Sequence, residues 1–404
     1  MDTKMKILYL SQRIPYPPNK GDKLRAFNEI KYLSKHHEIS LLCLTDDCRE
    51  MGTPQELNRF CKSIDIVYLP KLQSKLQSGL AIFSTISLTL SYFHSKKLKK
   101  IVKMKLLSEQ YDLIFVYCSS MAQYVDHVHH IPKIIDFVDV DSEKWRQYAT
   151  YASFPMRLLY RIESYRLRKY EASIAENYQH GVFVSENEAE DFKRMVCPCP
   201  TISPILNGVD CEMFTPGTEP YDRNALIFTG AMDYYANVEA VLYFVDQILP
   251  LIKNKIENIK LYVVGSNPAK EIILLAKKET NVIITGYVEE VQPYMRKAAV
   301  FVAPMRIARG VQNKILEAMA MGVPVVTSSL GYEGITAKQG EDIFVEDAPE
   351  HFAMRVIELV EDAELRRAVS EKSRKNVESC YNWEINLGKL EDLLLETQKP
   401  FPSH

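Results

Sequence analysis

The sequence lacks the features that would assign it to several large classes of protein. No uninterrupted apolar run approaches the roughly 18 residues that a membrane-spanning helix needs. The 50 Lys and Arg residues are balanced by 52 Asp and Glu residues, so the basic excess typical of nucleic-acid-binding domains is missing. Neither a GxGxxG fingerprint nor a P-loop is present. We therefore expect an ordinary globular protein with no nucleic-acid partner.

Cysteine is present, but not in a pattern that indicates metal binding. Of the eight cysteines, Cys197 and Cys199 are the one close pair, and no His or second Cys pair follows at zinc-ligand spacing. We expect reduced thiols, and hence a reducing compartment. The first strand pattern is too short for the apolar region of a signal peptide. The sequence therefore predicts a cytoplasmic protein without a metal or other cofactor.

The hydrophobic pattern predicts two α/β domains. A chain of 404 residues exceeds the usual size of a single core. Short apolar runs alternate with helical patterns, and strands this apolar are typical of parallel sheets with helices on both faces. They form two successive series, at 7–10, 39–44, 64–69, 113–117, 133–137 and 181–185, and then at 226–229, 260–264, 282–285, 300–304 and 323–328. Two such series indicate two doubly wound, Rossmann-like sheets.

The boundary between the predicted domains lies near residue 205. Asn207-Gly208 follows a short strand pattern, and Asn-Gly favours positive φ and marks a turn. This places the first domain at 1–205 and the second at 206–382. The apolar helical pattern at 383–404 either ends the second domain or crosses back to the first.

One strand-to-helix turn combines several groups that suit a nucleoside diphosphate. A strand ends near Pro304, the following loop carries Arg306 and Arg309, and a helix begins near Asn313. Helix starts bind phosphate through unpaired N–H groups, and the two arginines and Lys314 add charge. Glu317 can accept two hydroxyl hydrogen bonds, as from a ribose. Alternatively, Glu317 only complements the helix dipole and the arginines form a solvated loop.

Other turns carry weaker signals. The loop at 13–23 contains Gly21, which permits close approach of a ligand to the backbone; alternatively, it is a stiff connection. The turn at 230–240, with Gly230 and Asn237, follows the first strand of the second domain. Gly286 and Val288 close another strand and leave backbone groups free to contact a nucleobase.

Three carboxylates stand at the end of a predicted strand in the first domain. A period of two places Asp139 and Asp141 on one side, near Asp136, where such a cluster could bind a metal or act as a base. Alternatively, Asp141 or Ser142 caps the next helix.

A further segment has the character of a membrane surface. Residues 80–93 read as an apolar helix dotted with Ser and Thr, and a lysine-rich helical face follows, with Lys96, Lys97, Lys99, Lys100, Lys103 and Lys105. This combination is typical of helices that lie on anionic lipid. A solvated face is the alternative.

Taken in order, these motifs resemble glycosyltransferase family 4, whose members are retaining GT-B enzymes. The resemblance spans nearly the whole chain. Its pieces are the Gly21 loop, Phe183-Val184-Ser185-Glu186, Asn207-Gly208-Val209-Asp210, Gly286-Tyr287-Val288 and the run from Leu316 to Val326. Three segments look like the branch associated with PEP-CTERM/exosortase exopolysaccharide systems: 136–145, 230–234 and 310–314.

The resemblance implies a fold and a set of roles. Two Rossmann-like domains would face a cleft, and the last helix would cross back to the first domain. Glu317 would hold the donor ribose, and the loop of Gly310, Val311 and Gln312 would contact the donor sugar and diphosphate. The nucleobase would lie near Val288. Donor contacts are also expected at Gly21, Gly230, Asn237 and Gly286.

The chain departs from the family pattern at three places. Arg309 stands where the first of two glutamates is usual, and Val138-Asp139 replaces a frequent His. The basic pair often seen after Gly230 is absent, so Arg306 and Lys314 are the candidates to replace its charge. With Asp139 they form the predicted catalytic group.

These observations lead to one main functional hypothesis. The enzyme would transfer a hexosyl unit from a nucleoside diphosphate sugar, with retention, to a lipid-linked or saccharide acceptor in exopolysaccharide or related glycan biosynthesis. It would be cytoplasmic, with peripheral contact to an anionic membrane. The alternatives are a GT-B-like scaffold that holds nucleotide without transfer and, less favoured, sugar-nucleotide epimerisation.

Overall fold

The computed structural model of the chain describes residues 4–18, 21–52, 55–196, 201–217, 221–308 and 310–397. Arg309, Cys197 and Cys199 lie outside these residues. The chain divides into two compact units. Unit 1 comprises Met1–Ile205 and Glu384–His404, and unit 2 comprises Leu206–Trp383. Within the described residues, no helix combines the length and apolar character needed to cross a membrane.

Unit 1 contains one parallel sheet with helices between its strands. Its described strands are β1 (Lys6–Ser11), β2 (Glu38–Thr45), β3 (Ser63–Tyr68), β4 (Leu113–Tyr117), β5 (Lys133–Val138), β6 (His180–Phe183) and β7 (Ile202–Pro204). Its helices are α1 (Gly21–Leu33), α2 (Lys71–Leu80), α3 (Leu88–Tyr92), α4 (Lys96–Ser108), α5 (Ser119–Ala122), α6 (Asp141–Tyr151), α7 (Met156–Asn177) and α8 (Glu186–Met195). The strand order is β3-β2-β1-β4-β5-β6-β7. This order reverses direction between β1 and β4, as in a Rossmann-like sheet.

Unit 2 repeats the same winding. Its described strands are β8 (Asp222–Thr229), β9 (Lys260–Val264), β10 (Val282–Gly286), β11 (Ala298–Ala303), β12 (Val325–Thr327) and β13 (Phe344–Val345). Its helices are α9 (Tyr235–Tyr243), α10 (Leu249–Lys253), α11 (Lys270–Lys278), α12 (Gln292–Lys297), α13 (Asn313–Ala320), α14 (Ser329–Tyr332), α15 (Pro349–Glu361) and α16 (Ala363–Cys380). The order β10-β9-β8-β11-β12-β13 reverses between β8 and β11. The prediction of two parallel, Rossmann-like sheets is confirmed.

The last helix, α17 (Trp383–Thr397), begins at the end of unit 2 and then packs within unit 1. Lys35 Nζ lies 2.6 Å from a carboxylate oxygen of Glu384, and His37 Nε2 lies 2.8 Å from Glu391 Oε1. Lys35 and His37 directly follow α1, which ends at Leu33. The expected crossing of the last helix back to the first domain is present.

The segment joining the units differs from the expected turn. Gly208 does not have a positive φ, so it does not serve the Asn-Gly turn that the sequence predicted. A Cβ at this position would lie 2.3 Å from Cγ of Trp383. Val209 N also donates a hydrogen bond to Tyr381 O at 2.8 Å. Glycine is required here because the start of α17 passes directly against the chain.

The predicted helix over residues 80–93 is wrong. Helix α2 ends at Leu80, a 3₁₀ turn spans Ala81–Phe83, and α3 begins only at Leu88. Ser84 Oγ donates to Ala81 O at 3.0 Å and accepts from Ile86 N at 3.1 Å. Serine side chains compete in this way with the hydrogen bonds of a continuous helix. The lysine-rich helix that follows does exist, as α4.

Candidate active site

The strongest candidate site lies at the carboxyl edge of the sheet in unit 2. In sheets of this kind, ligands bind where the strand order reverses, which here is between β8 and β11. The Gly230 turn follows β8, and the segment with Arg306 follows β11. The helices that come after these turns, α9 and α13, contribute Asn237 and Lys314 to the same place.

The turn after β8 requires glycine for a close approach. Gly230 has a φ of +153°, and a Cβ there would lie 2.6 Å from Asn237 Nδ2. Asn237 Nδ2 donates to Ala231 O at 2.9 Å, which fixes the orientation of the amide. Its carbonyl oxygen then accepts a hydrogen bond from Lys314 Nζ. The Gly230 turn therefore positions an acceptor for the lysine of α13.

Lys314 is a cation held in a partly apolar environment. Its Nζ lies 4.7 Å from the centroid of the Phe228 ring. Burial lowers the pKa of Lys314 to about 7, and the neighbouring Glu317 carboxylate opposes this shift. An anion placed beside the ammonium would favour its charged form and raise this pKa again. Lys314 is thus suited to bind a phosphate group.

Glu317 lies one turn further along α13. Burial raises its pKa to about 7, and Lys314 opposes the shift. No described residue donates a hydrogen bond to its carboxylate. Among the described residues the carboxylate thus keeps both oxygens as acceptors, which is the property that the ribose hypothesis requires.

The start of α13 has no side-chain cap. The residue before the helix is Gln312, and its side chain makes no capping hydrogen bond; instead, Gln312 Nε2 donates to Gly310 O at 3.2 Å. Gly310 has a φ of +68°, which turns the loop into the helix. Val311 lies between them and is partly buried. Uncapped N–H groups at a helix start are a ready site for an anion.

Arg306 is not an isolated charge. Its Nη1 lies 3.2 Å from Glu239 Oε1, and its guanidinium carbon lies 4.8 Å from the centroid of the Tyr243 ring. Glu239 and Tyr243 are four residues apart on α9, so they lie on one face of this helix. If Arg306 binds phosphate, it does so with the Glu239 carboxylate beside it.

Glu239 is a site residue that the sequence interpretation missed. Its Oε2 atom is buried and has no hydrogen-bond partner among the described residues. Burial raises the pKa of Glu239, and Arg306 opposes the shift. The spacing of Glu239 and Tyr243 on the helix after β8 was the signal that could have identified it.

The predicted nucleobase segment lies on the same edge but further along the sheet. Gly286 closes β10 with a φ of +71°. Strand β9 separates β10 from β8, so this segment is two strands from the Gly230 turn. Val288 is partly buried, whereas the Tyr287 side chain is 75% exposed.

In unit 1 the predicted carboxylate cluster does not form. Strand β5 ends at Val138, which has a φ of +69°, so the period of two does not continue to Asp141. Asp136 Oδ2 lies 2.6 Å from Arg25 Nε, whereas Asp141 Oδ2 accepts from Ser119 Oγ at 2.9 Å. The carboxylates have separate partners, and no metal-ligand group of three or more is found among the described residues.

The capping alternative for this segment is also wrong. Val140 is the cap residue of α6, and neither Asp141 nor Ser142 precedes the helix. Glutamates from other helices bind this helix start instead. Glu188 Oε2 accepts from Val140 N at 2.8 Å, and Glu171 Oε1 accepts from Ser142 N at 3.0 Å.

Two predicted site residues of unit 1 remain, Asp139 and Gly21. Asp139 directly follows Val138, and its N–H donates to Phe137 O at 2.9 Å. Gly21 is the first residue of α1. Of the described site residues, Gly21 and Asp139 belong to unit 1 and all others to unit 2.

A known family model matches the part of the sequence that forms most of unit 2. The family model described as glycosyl transferases group 1 matches residues 223–362. This range runs from β8 to the end of α15. It therefore includes the Gly230 turn, Asn237, Arg306, Lys314 and Glu317.

Relatives extend the match beyond unit 2. An uncharacterized 44.6 kDa protein in the cps region of Klebsiella pneumoniae is 23% identical over 370 residues, 87% of this chain and 90% of that protein. The capsular polysaccharide biosynthesis glycosyltransferase CapM of Staphylococcus aureus is 28% identical over 154 residues, 36% of this chain and 40% of CapM. This chain is a glycosyltransferase. A non-catalytic nucleotide-binding scaffold is not favoured.

Solved structures share the fold over nearly the whole enzyme. Sucrose-phosphate synthase from Thermosynechococcus elongatus superposes with a TM-score of 0.75 at 16% identity, covering 97% of this chain and 99% of that one. HepE from Anabaena, in complex with UDP-glucose, has a TM-score of 0.69 at 14% identity and covers 97% and 100% of the two chains. At these identities the likeness concerns the fold alone.

Proposed function

We propose that this glycosyltransferase moves a hexosyl unit from a nucleoside diphosphate sugar to a lipid-linked or saccharide acceptor. The observation that carries the proposal concerns the edge of the sheet where the strand order of unit 2 reverses. There Lys314 lies on α13, and the start of this helix has no side-chain cap. Both groups favour an anion, and Glu317 lies one turn away with a carboxylate suited to ribose hydroxyls. Together they match two parts of a nucleoside diphosphate, the diphosphate and the ribose.

The donor-binding residues follow from this placement. Gly310, Val311, Gln312 and the first N–H groups of α13 would bind the diphosphate. Further donor contacts are proposed from the sequence motifs and not from this placement. They are Gly21, Gly230, Asn237, Arg309 and Glu317, with Gly286 and Val288 at the nucleobase. Glu239 joins them, because its buried Oε2 acceptor lacks a partner among the described residues.

The chemistry proposed is a displacement with retention in which negative charge grows on the departing diphosphate. Lys314 would stabilise this charge directly, and Arg306 would assist from its position between Glu239 and Tyr243. The diphosphate oxygen would take the proton of the acceptor hydroxyl as the new glycosidic bond forms and the bond to the diphosphate breaks. Asp139 is the proposed contribution of unit 1. This scheme needs no metal or cofactor.

The biological setting is part of the same proposal. The relative in the cps region and CapM favour a role in capsular or other extracellular polysaccharide synthesis. Assignment to glycosyltransferase family 4 rests on the series of motifs from the Gly21 loop to the run from Leu316 to Val326. Assignment to its PEP-CTERM-associated branch rests on the segments around Asp136, Gly230 and Gly310. We place the reaction in the cytoplasm, at the inner face of the plasma membrane.

A thermal-shift panel of nucleoside diphosphates and their sugars tests the donor class. A ligand at a hundred times its Kd adds about 2.7 kcal/mol to stability, so the cognate nucleotide should raise the melting temperature clearly. Release of nucleoside diphosphate from the cognate sugar donor then separates a transferase from a nucleotide-holding scaffold. A panel in which no nucleotide stabilises the protein would contradict the proposal.

A further inference from the structure

An unexplained apolar surface lies in unit 1, on α2, the segment 81–86 and the first half of α7. We call it the apolar patch and define it by the exposed residues Leu72, Leu76, Leu80, Phe83, Ile86, Leu158 and Ile162. The three leucines of α2 recur every four residues and so form one stripe along the helix. Phe83 is 92% exposed. Clustered apolar residues on the surface mark a site of interaction with another molecule or a membrane.

The elements that carry the patch are fixed to one another. Arg166 of α7 donates to the carbonyl oxygens of Ala81, Ile82 and Ile86 at 3.0, 3.2 and 3.2 Å. The buried Glu163 of the same helix accepts from Leu88 N at 2.6 Å and from Thr89 N at 2.8 Å. These hydrogen bonds fix the backbone on both sides of Phe83, and its side chain is exposed in that conformation.

The charged residues of the elements that carry the patch, and of α4, are mainly basic, although Lys71 lies 3.7 Å from Asp46 and Lys105 lies 3.3 Å from Asp65. Residues 71–108 contain eight lysines and neither Asp nor Glu. On the first half of α7, Arg157 and Arg161 are exposed, whereas Glu163 is buried and bound to α3. An apolar surface with a cationic surround is complementary to a bilayer that carries anionic headgroups.

We propose that the apolar patch binds this enzyme to the surface of an anionic bilayer, with Phe83 and the α2 leucines inserted at the level of the headgroups. A second copy of the chain fits less well, because a twofold contact would bring two cationic surrounds together. The proposal revises the membrane surface predicted from the sequence. The apolar part comes from α2, the 81–86 segment and α7, and α4 contributes lysines. It does not depend on the sugar chemistry.

Vesicle co-sedimentation of the full chain tests the proposal. The protein should bind vesicles containing anionic phosphatidylglycerol, bind neutral phosphatidylcholine vesicles weakly, and be released by added salt. The double variant Leu80→Ser/Phe83→Ser should lower the partition coefficient roughly tenfold or more, because it removes inserted apolar area. Lys75→Gln/Arg161→Gln should weaken binding to anionic vesicles while leaving the apolar residues intact.

A matched control is Leu274→Ser, which replaces an exposed leucine of unit 2. This variant should bind vesicles as the wild type does, and circular dichroism should show that every variant is folded. Three results would overturn the proposal: equal binding to neutral and anionic vesicles, loss of binding in Leu274→Ser, or no binding by the wild type. A dimer in analytical ultracentrifugation that Leu80→Ser/Phe83→Ser dissociates would instead assign the patch to a second copy.

Discussion

The two units have the same winding but use buried charge in opposite ways. In unit 1, Arg25 of α1 lies 2.6 Å from Asp136 and 3.2 Å from Glu29, and all three side chains are almost completely buried. Tyr9 donates to Glu29 at 2.6 Å, and Arg25 Nη1 donates to Ile205 O at 2.9 Å. These groups bind each other and join α1, β1, β5 and the end of the unit.

In unit 2, charged side chains at the carboxyl edge of the sheet are placed where a ligand can contact them. Lys314 and Glu317 are only partly buried, and both have a pKa of about 7 because their charged forms are poorly solvated. Glu239 has a buried oxygen without a partner among the described residues. Unit 1 also has such oxygens, at Glu29 and Glu171, so the difference lies in the cations. Arg25 lies beside two buried carboxylates, whereas Lys314 donates to the Asn237 amide and is within ion-pair distance of no described carboxylate.

The largest expected effect is on the stability of unit 1. Arg25→Met leaves Asp136 and Glu29 buried without their cation, and breaking a buried ion pair costs about 3–5 kcal/mol. Hydrogen exchange of β1 and β5 should report this loss. The comparison fails if exchange in these strands is as slow as in the wild type.

A smaller effect is expected for nucleotide affinity at Glu317. Glu317→Gln keeps the shape but removes the charged acceptor, which should weaken nucleotide binding by about 1–3 kcal/mol. Its thermal stability at neutral pH should not fall, because a carboxylate whose pKa is raised by burial opposes folding once pH rises above its unfolded value. Titration calorimetry and thermal melts measure both. Unchanged affinity would remove Glu317 from the site.

The pH dependence of binding should reflect the charge of Lys314. Below pH 7 its ammonium is charged, and a bound diphosphate raises its pKa, so the preference for nucleoside diphosphate over nucleoside should be strongest there. As pH rises from 7, that preference should fall by up to about tenfold per unit, because binding then requires proton uptake. A ratio that is constant between pH 6 and 9 would exclude Lys314 as the titrating group.

The smallest effect on stability is expected for the ion pair between Glu239 and Arg306 in unit 2. Glu239→Gln breaks the contact with Arg306, but the Arg306 side chain is 53% exposed. Exposed pairs contribute about 0–1 kcal/mol, so the stability of unit 2 should hardly change in denaturant unfolding. A loss as large as that of Arg25→Met would show that both units use their ion pairs structurally.

The sequence predicted most strands because continuous apolar runs are specific to buried parallel sheets. It did not predict β13, because a strand of two residues is too short to show a hydrophobic period. The helix expected over 80–93 failed because Ser84 and Ser87 form local hydrogen bonds that compete with helical ones. For Gly208 the sequence indicated a turn, whereas the actual constraint is contact with Trp383, 175 positions away in the chain.

Part of the candidate site could be predicted from local sequence. The groups around α13 are close in sequence, so one strand–loop–helix pattern brought them together. Glu239 was missed because its contact with Arg306 joins α9 to the loop after β11, and these segments are far apart in the chain. The Asp139–Asp141 cluster was wrong because β5 ends at Val138, three residues before Asp141, so the period of two does not reach it.

The most direct test of the central claim is calorimetric titration of the wild type and Lys314→Met. The ligands are the best nucleoside diphosphate from the thermal-shift panel and its nucleoside, at pH 6.5. We expect the Kd for the diphosphate to rise roughly tenfold or more, since hydrogen bonds to charged groups contribute about 1.5–3 kcal/mol. The Kd for the nucleoside should stay the same. Equal losses for both ligands, or no loss for either, would contradict a diphosphate site at the start of α13.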